Sequence, residues 1–266
     1  MTTTLRKWRA IFTVFFAEGI AYRASGLIWV MTDLVTALTM PLVWAAASKT
    51  GPIAGFTTAD FVLYYLSMLM LGSFVTSHMM WDVATEIKEG QFSAQIIRPV
   101  SFYQYTFFRN LSWRIIRSCI FAPIFVGLLF AYSGYLQGAK LNLGIEFWAS
   151  VALGHLVSFN FIMMIAMLAL FITEIYSVFE LYYVPMLFLS GQLFPIAILP
   201  DWARNLAYFF PFYFTTGAPT EILIGRVSGP AIAQTLAFQA MWVVFCYAMA
   251  KLLWRKGMKY YTGVGM

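Results

Sequence analysis

The chain has 266 residues, of which 61% are hydrophobic and only 11% are charged, so it holds too few polar side chains to cover a water-soluble globule of this size. We therefore expect a lipid bilayer to cover most of its surface. The formal net charge is +6. Because every basic run borders an apolar segment, this charge indicates membrane topology and attraction to anionic lipids rather than nucleic-acid binding.

Residues 1–24 are predicted to form an amphipathic helix. At about 3.6 residues per turn, one face gathers Leu5, Trp8, Phe12, Phe15, Phe16 and Gly19, and the opposite face carries Arg6, Lys7, Thr13 and Ala17. This pattern is typical of an interfacial helix that lies on the cytoplasmic leaflet. The alternative is a frayed N-terminal tail.

Six later segments are long and apolar enough to cross about 30 Å of hydrocarbon as helices. They are Leu27–Ala47, Phe61–Trp81, Ile115–Tyr132, Phe147–Ile172, Tyr176–Ile198 and Ala231–Leu253. No linker, internal repeat or independently folding extramembrane segment interrupts them. We therefore expect residues 1–266 to form a single all-α, polytopic membrane domain.

The distribution of basic residues predicts the orientation of these spans. Thirteen of the 17 Lys and Arg residues lie in the N-terminal stretch, in the connection between spans two and three, or near the C-terminal tail, residues 254–266. Basic residues are retained on the cytoplasmic side of a membrane. Both termini are thus expected in the cytoplasm, and six crossings satisfy the even number that this orientation requires.

The connection between spans two and three, residues 82–114, is expected to be a cytoplasmic loop built from helical pieces. Helix two continues past Trp81 until Gly90 stops it, and Phe92 and Ile96 then share one face of a short transverse helix. Arg98 precedes Pro99, which pushes its backbone out of the helical region and ends that helix.

Ser101 and Gln104 form a capping box, so a new helix is predicted to start at Phe102. Such a rigid piece of backbone suits a part that passes force between subunits. The alternative is an ordinary loop whose aromatic residues anchor it among the lipid headgroups.

Residues 199–230, between spans five and six, are too apolar for a solvated loop and too interrupted by prolines for a single span. Asp201–Phe210 has a helical apolar face, and Pro219–Ile224 can begin a second short helix. We interpret the region as a helical hairpin that dips into the membrane from outside, with its backbone covered by protein. The alternative is an amphipathic loop that only anchors the chain.

Two short motifs carry a resemblance to a known family. The cytoplasmic loop contains Glu89, Gly90, Phe92, Ile96, Arg98, Pro99, Val100, Ser101 and Phe102. This run is similar to E-G-x-F-x-x-x-L-x-R-P-V-S-F, with isoleucine in place of the leucine. A second run, Pro185, Leu189, Ser190, Gly191 and Pro195, is similar to P-x-x-x-L-S-G-x-x-x-P. On these residues the chain resembles the permease subunit of type-2 ABC exporters.

The resemblance implies a half-transporter in a bacterial inner membrane, which dimerises with itself or with a sister permease. Each half would sit on a separate ABC ATP-binding subunit, with the helix after Gly90 as coupling helix and the N-terminal helix as connecting helix. The ATPase-coupling candidates are Glu86, Glu89, Gly90, Phe92, Arg98, Pro99 and Phe102. The candidates for an outer gate or hairpin are Ser190, Gly191, Pro195, Pro200, Trp202 and Pro211.

The chain has no G-x-x-x-x-G-K-[ST] motif to hold ATP phosphates. We therefore expect ATP and Mg²⁺ to bind the partner subunit, this chain to bind no cofactor or metal, and the chain not to be an enzyme by itself. Its apolar and aromatic spans favour an amphiphilic or hydrophobic cargo.

Alternatives from other classes remain open. Asp33, His78 and His155 lie within predicted spans, where ionisable residues are functional candidates. An ion-coupled secondary transporter can use such residues, although no inverted repeat supports it. An intramembrane enzyme based on Ser158 and His155 lacks a third group to orient the histidine. The simpler interpretation is that Asp33 faces water or Arg23 and that both histidines bond neighbouring backbone.

Overall fold

The computed structural model describes residues 3–21, 23–172 and 175–262. For some residues between 3 and 37, including Arg23 and Asp33, it describes the backbone alone, so the prediction about the Asp33 side chain lies outside the described residues. Within these ranges the regular structure is helical, with 76% helix and no strands, and it comprises eleven α-helices joined by turns and short 3-10 segments. The all-α prediction is confirmed.

The described part of the chain begins with three α-helices. Helix α1 covers Thr3–Ala21, and α2 covers Arg23–Ala47. Helix α3, Thr58–Val75, begins with a capping box in which Thr57 and Asp60 bond each other's backbone N–H groups. Helix α2 packs along α3.

Helix α3 is separated from α4, Met80–Lys88, by a break at residues 76–79. Polar side chains of other helices fill this break: the Ser77 N–H donates to Ser158 Oγ at 2.9 Å, and Asn110 Nδ2 donates to Ser77 Oγ at 3.1 Å. Backbone that leaves the helix inside an apolar core needs such partners. The sequence predicted one continuous helix here, and the interruption is a difference from that prediction.

The remaining helices complete the bundle. They are α5, Phe92–Ile96; α6, Phe102–Ala131; α7, Ile145–Ala166; α8, Tyr176–Leu189; α9, Asp201–Phe209; α10, Gly217–Leu223; and α11, Pro230–Gly257. A 3-10 turn, Met167–Leu170, extends α7. The most extensive helix contact joins α7 to α11. Gln239 of α11 strengthens this contact because it donates to Ser150 O of α7 at 3.0 Å and to Phe214 O at 2.9 Å.

Four helical stretches in the described part of the chain are long and apolar enough to cross a membrane. They are Thr58–Lys88, Phe102–Ala131, Ile145–Leu170 and Pro230–Gly257, and the apolar helix Tyr176–Leu189 is shorter. The fifth predicted span, Tyr176–Ile198, therefore ends nine residues early as a helix. Its end coincides with Gly191, whose φ of +88° is a left-handed conformation that stops a helix.

Candidate functional site

Residues 88–102 reverse the chain at one end of the molecule. Gly90 has a φ of +79° and ends α4, after which α5 forms the predicted short helix. At the start of α6, the Gln104 N–H donates to Ser101 Oγ at 3.2 Å, which is the first half of the predicted capping box. The structure thus has a helix end before Gly90, a short helix at Phe92–Ile96 and a new helix start at Phe102.

Phe92 anchors α5 in a buried aromatic cluster. Its side chain is 0% exposed, and its ring centroid lies 5.0 Å from that of Phe102, 5.6 Å from that of Trp254 and 5.1 Å from that of Tyr261. All three are edge-on contacts, the geometry that aromatic quadrupoles favour. Phe102 also stacks on Trp254 at 5.2 Å. Two predicted coupling residues, Phe92 and Phe102, are therefore buried anchors.

A forked ion pair fixes α4 to α6. Arg109 Nη2 lies 3.0 Å from Asp82 Oδ2, and Arg109 Nη1 donates to Glu86 Oε1. The Glu86 side chain is 13% exposed, whereas that of Asp82 is 62% exposed. A planar guanidinium can bond two carboxylates at once, which holds both helices in one geometry. Glu86, a predicted coupling residue, is thus engaged inside the chain.

The opposite side of α5 faces away from the protein. We name it the α5 edge; its exposed residues are Glu89, Gln91, Ala94, Ile97, Arg98 and Pro99. Ile97 is 82% exposed, while Phe92 on the other side is fully covered. Gln91 Nε2 donates to Glu89 Oε2 at 3.0 Å, and the Arg98 guanidinium lies over the Tyr105 ring at 5.2 Å. The α5 edge therefore presents one large apolar side chain, Ile97, between the acidic Glu89 and the basic Arg98.

Sequence reasoning missed Ile97 as a surface residue, although a signal for it was present. The i, i+4 spacing places Phe92 and Ile96 on one face of α5, and a residue next to Ile96 points about 100° away from that face. The other predicted coupling residues divide by position. Glu89, Arg98 and Pro99 are exposed on the edge, and Gly90 supplies the turn.

Helix α1 packs its aromatic face on α6. The Trp8 ring lies 5.8 Å from Phe108, and the Phe15 ring lies 5.0 Å from Tyr105. Lys7 donates to Pro99 O, which ties the start of α1 to the end of the α5 segment. The predicted helix is present, and Trp8 and Phe15 of its aromatic stripe contact α6.

At the other end of α3, the predicted Ser190–Gly191 signature makes a tight contact with that helix. Tyr64 Oη donates to Gly191 O at 2.8 Å, and Tyr65 Oη donates to Leu193 O at 2.9 Å. A Cβ at position 191 would lie 2.3 Å from Tyr64 Oη. Ser190 is buried, and its Oγ accepts from the Gln192 N–H at 3.3 Å. Glycine is required here both for its backbone conformation and for the close approach.

The two predicted helices of residues 199–230 are present as α9 and α10, and they lie in different surroundings. Every residue of α10 is buried, whereas Trp202 and Phe209 of α9 are 69% and 70% exposed. Among the predicted hairpin residues, Pro195 and Pro211 are buried and Pro200 is exposed. The backbone of α10 is thus covered by protein.

Helix α10 carries a buried carboxyl group. Glu221 is 6% exposed, and its Oε2 accepts a hydrogen bond from Tyr213 Oη at 2.8 Å. Burial raises the pKa of Glu221 above its ordinary value, while the Tyr213 hydrogen bond and the Arg226 charge act in the opposite direction. The protonated, neutral form is therefore favoured relative to an exposed glutamate.

The two histidines lie among aromatic rings. His155 is buried beside Phe74, with ring centroids 5.2 Å apart, and His78 lies 6.4 Å from the Tyr183 ring. Ser158 Oγ accepts from the backbone of Ser77 at the break after α3. That hydrogen bond gives Ser158 a structural role at the break.

A comparison with protein-family models gives one match, to a family described as "ABC-2 family transporter protein", over residues 33–265. The matched region includes all the helices from α3 to α11, and with them the α5 edge and helices α9 and α10. No curated protein matches the chain.

Proposed function

The chain belongs to the ABC-2 family of transporter proteins, and on that premise we propose that it is the membrane subunit of an ATP-driven exporter. Membership makes it a multi-pass ABC permease and implies an ATP-binding partner and a lipid environment. The proposal adds that two permeases, identical or sisters, form the pathway in a bacterial inner membrane. It also adds that the α5 edge is the docking site for a separate ATPase subunit, which binds the ATP and Mg²⁺.

The proposal includes six crossings with both termini in the cytoplasm. Helix α2 and the shorter α8 would join the four long apolar stretches. At about 1.5 Å per residue, the 14 residues of α8 reach only about 21 Å, less than the hydrocarbon thickness. Residues 190–198 would complete the crossing, which is permissible because Tyr64 and Tyr65 satisfy carbonyl groups in that irregular segment.

The observation that carries the proposal is the two-sidedness of α5. A helix of five residues is too short to be stable alone, so its buried side must hold it in place. Phe92 supplies that hold on one side, while Ile97 on the other side contacts little of its own chain. A large apolar side chain that lies on a rigid surface, with a charged residue on each side, is typical of a residue that anchors a protein partner.

The mechanism follows from how α5 is attached. Closure of two nucleotide-bound ATPase subunits would displace the α5 edge of each permease as a rigid body. The Arg109 fork connects α4 with α6, so the displacement would tilt both spans together. The tilt would open the pathway between the two permeases toward the outside. Glu89 and Arg98 would hold the register of the edge in its ATPase groove by charge complementarity.

Matched isoleucine substitutions test this docking role. Ile97→Asp places a charge where an apolar pocket should close, whereas Ile145→Asp makes the same change at a 77% exposed position at the start of α7. We expect Ile97→Asp to reduce the ATPase subunit that co-purifies with the tagged permease about tenfold or more, and Ile145→Asp to leave it unchanged. Undiminished co-purification with Ile97→Asp would contradict the docking role.

Transport measurements separate the proposal from the ion-coupled alternative. Replacing Glu89 or Arg98 with alanine should uncouple ATP hydrolysis from transport while membrane insertion stays normal. Unchanged coupling in both variants would count against the assignment. A preparation free of ATPase that moves cargo on a proton gradient would instead support a secondary transporter.

A further inference from the structure

The C-terminal end of α11 packs against the buried side of α5. Trp254 lies in the last turn of α11, and Tyr261 follows in the turn that continues from it. Both rings pack on Phe92, and the Ser93 and Tyr261 hydroxyl groups share a hydrogen bond of 2.9 Å. The α5 segment is therefore attached to the last helix as well as to α4 and α6.

This attachment is built for close contact rather than loose association. At Gly257 the chain approaches the 3-10 turn after α7 so tightly that a Cβ would lie 2.7 Å from Leu170 Cβ. The turn that follows α11 is closed by backbone hydrogen bonds from Tyr260 N and Tyr261 N to Gly257 O, at 2.9 and 3.0 Å. Tyr261 thus has a fixed direction relative to α11.

Helix α11 connects this attachment to the opposite end of the molecule. Its 28 residues span about 42 Å as a continuous helix. About a third of the way along α11 from its N-terminal end, the Gln239 side chain donates to Phe214 O, just before α10. A displacement of α5 that moved Trp254 would therefore also move a hydrogen-bond donor at the hairpin end.

We propose that Trp254 and Tyr261 are positioning residues that carry the displacement of α5 through α11 to the α9–α10 hairpin. The inference rests on the proposed coupling to an ATPase, and it deepens that function by assigning a second route. The first route runs from α4 through the Arg109 fork to α6. The second route moves α11 together with α5, and it links the nucleotide state of the ATPase to the α9–α10 hairpin.

Hydrogen exchange on the intact permease–ATPase complex tests this route, with Mg-ATP and vanadate as the trapping probe. In the wild type we expect trapping to change amide exchange both in α5 and in residues 212–217. In Tyr261→Ala the change in α5 should persist, while the change in residues 212–217 should fall about threefold or more. Tyr261→Phe keeps the ring against Phe92 and should restore the response.

The control is Tyr260→Ala. Tyr260 is the neighbouring aromatic residue, is 71% exposed, and its ring lies 6.0 Å from that of Phe171, outside the Phe92 cluster. It should respond like the wild type. A hairpin response that survives when Trp254 and Tyr261 are both replaced by alanine would overturn this inference and leave the ATPase coupling intact. A wild-type complex in which trapping changes nothing in α5 would overturn the proposed function, and this inference with it.

Discussion

Truncation of Phe92 should release α5 from the protein. The side chain is fully buried, and Phe→Ala substitutions at such positions cost about 3–5 kcal/mol. The three edge-on contacts, each contributing about 0.5–1.5 kcal/mol beyond area burial, place Phe92→Ala at the upper part of that range. Because α5 is a short surface element, most of this loss should appear as local opening rather than global unfolding.

Amide hydrogen exchange of the permease in detergent micelles measures this opening. A loss of about 4 kcal/mol corresponds to exchange about 1,000-fold faster for the α5 amides, including that of Ser93, which donates to Gly90 O. Phe92→Leu keeps most of the volume and should cost about 1 kcal/mol. Ile97→Ala, at an exposed position, should stay within about 0.5 kcal/mol. Unchanged exchange in Phe92→Ala, or an equal effect of Ile97→Ala, would refute the two-sided description of α5.

Three further predictions concern other parts of the fold. Arg109→Ala should lower the free energy of unfolding by about 1–2 kcal/mol, less than for a fully buried pair because Asp82 is exposed, and Arg109→Lys should recover part of it in thermal unfolding. Gly191→Ala should cost about 1–3 kcal/mol more than Gly138→Ala by the same measurement, because both have positive φ but only position 191 meets a neighbour. Since the folded-state pKa of Glu221 is raised, its stabilisation is present at acidic pH and is lost as the pH rises through that pKa. Denaturant titrations at increasing pH should show this decline in the wild type and not in Glu221→Gln; equal slopes would contradict it.

Local sequence signals predicted the boundaries of the α5 segment well. Gly90, Pro99 and Ser101 act on their own backbone or on residues within one turn, so their effects can be read without the rest of the chain. The same holds for the start of α9 at Asp201, directly after Pro200, whereas α10 begins at Gly217, two residues before the predicted Pro219. Such local backbone preferences do not depend on tertiary contacts.

The break between α3 and α4 illustrates what a local signal cannot contain. Ser77 leaves the helix because Ser158 and Asn110, from α7 and α6, supply its hydrogen bonds. Without those partners an apolar run such as this one favours an uninterrupted helix. The interruption is therefore a property of the packed bundle.

The sequence also does not show what surrounds an apolar helix face. The aromatic stripe of α1 is suited to lipid and to protein alike, and only the structure shows that Phe108 and Tyr105 of α6 contact it. Phe92 similarly owes its burial to Trp254 and Tyr261, far away in the sequence. Periodicity identifies a face that must be covered, but it does not identify what covers it.

Photo-crosslinking at position 97 in native membranes tests the central claim most directly. With Ile97→p-benzoylphenylalanine, we expect a crosslink to an ATP-binding subunit that mass spectrometry can identify, and its yield should change when Mg-ATP and vanadate are added. The same substitution at Ile145 provides the matched exposed control and should give no such product. Crosslinks from position 97 to lipid alone, or equal crosslinks to the ATPase from both positions, would contradict the assignment of the α5 edge as its docking site.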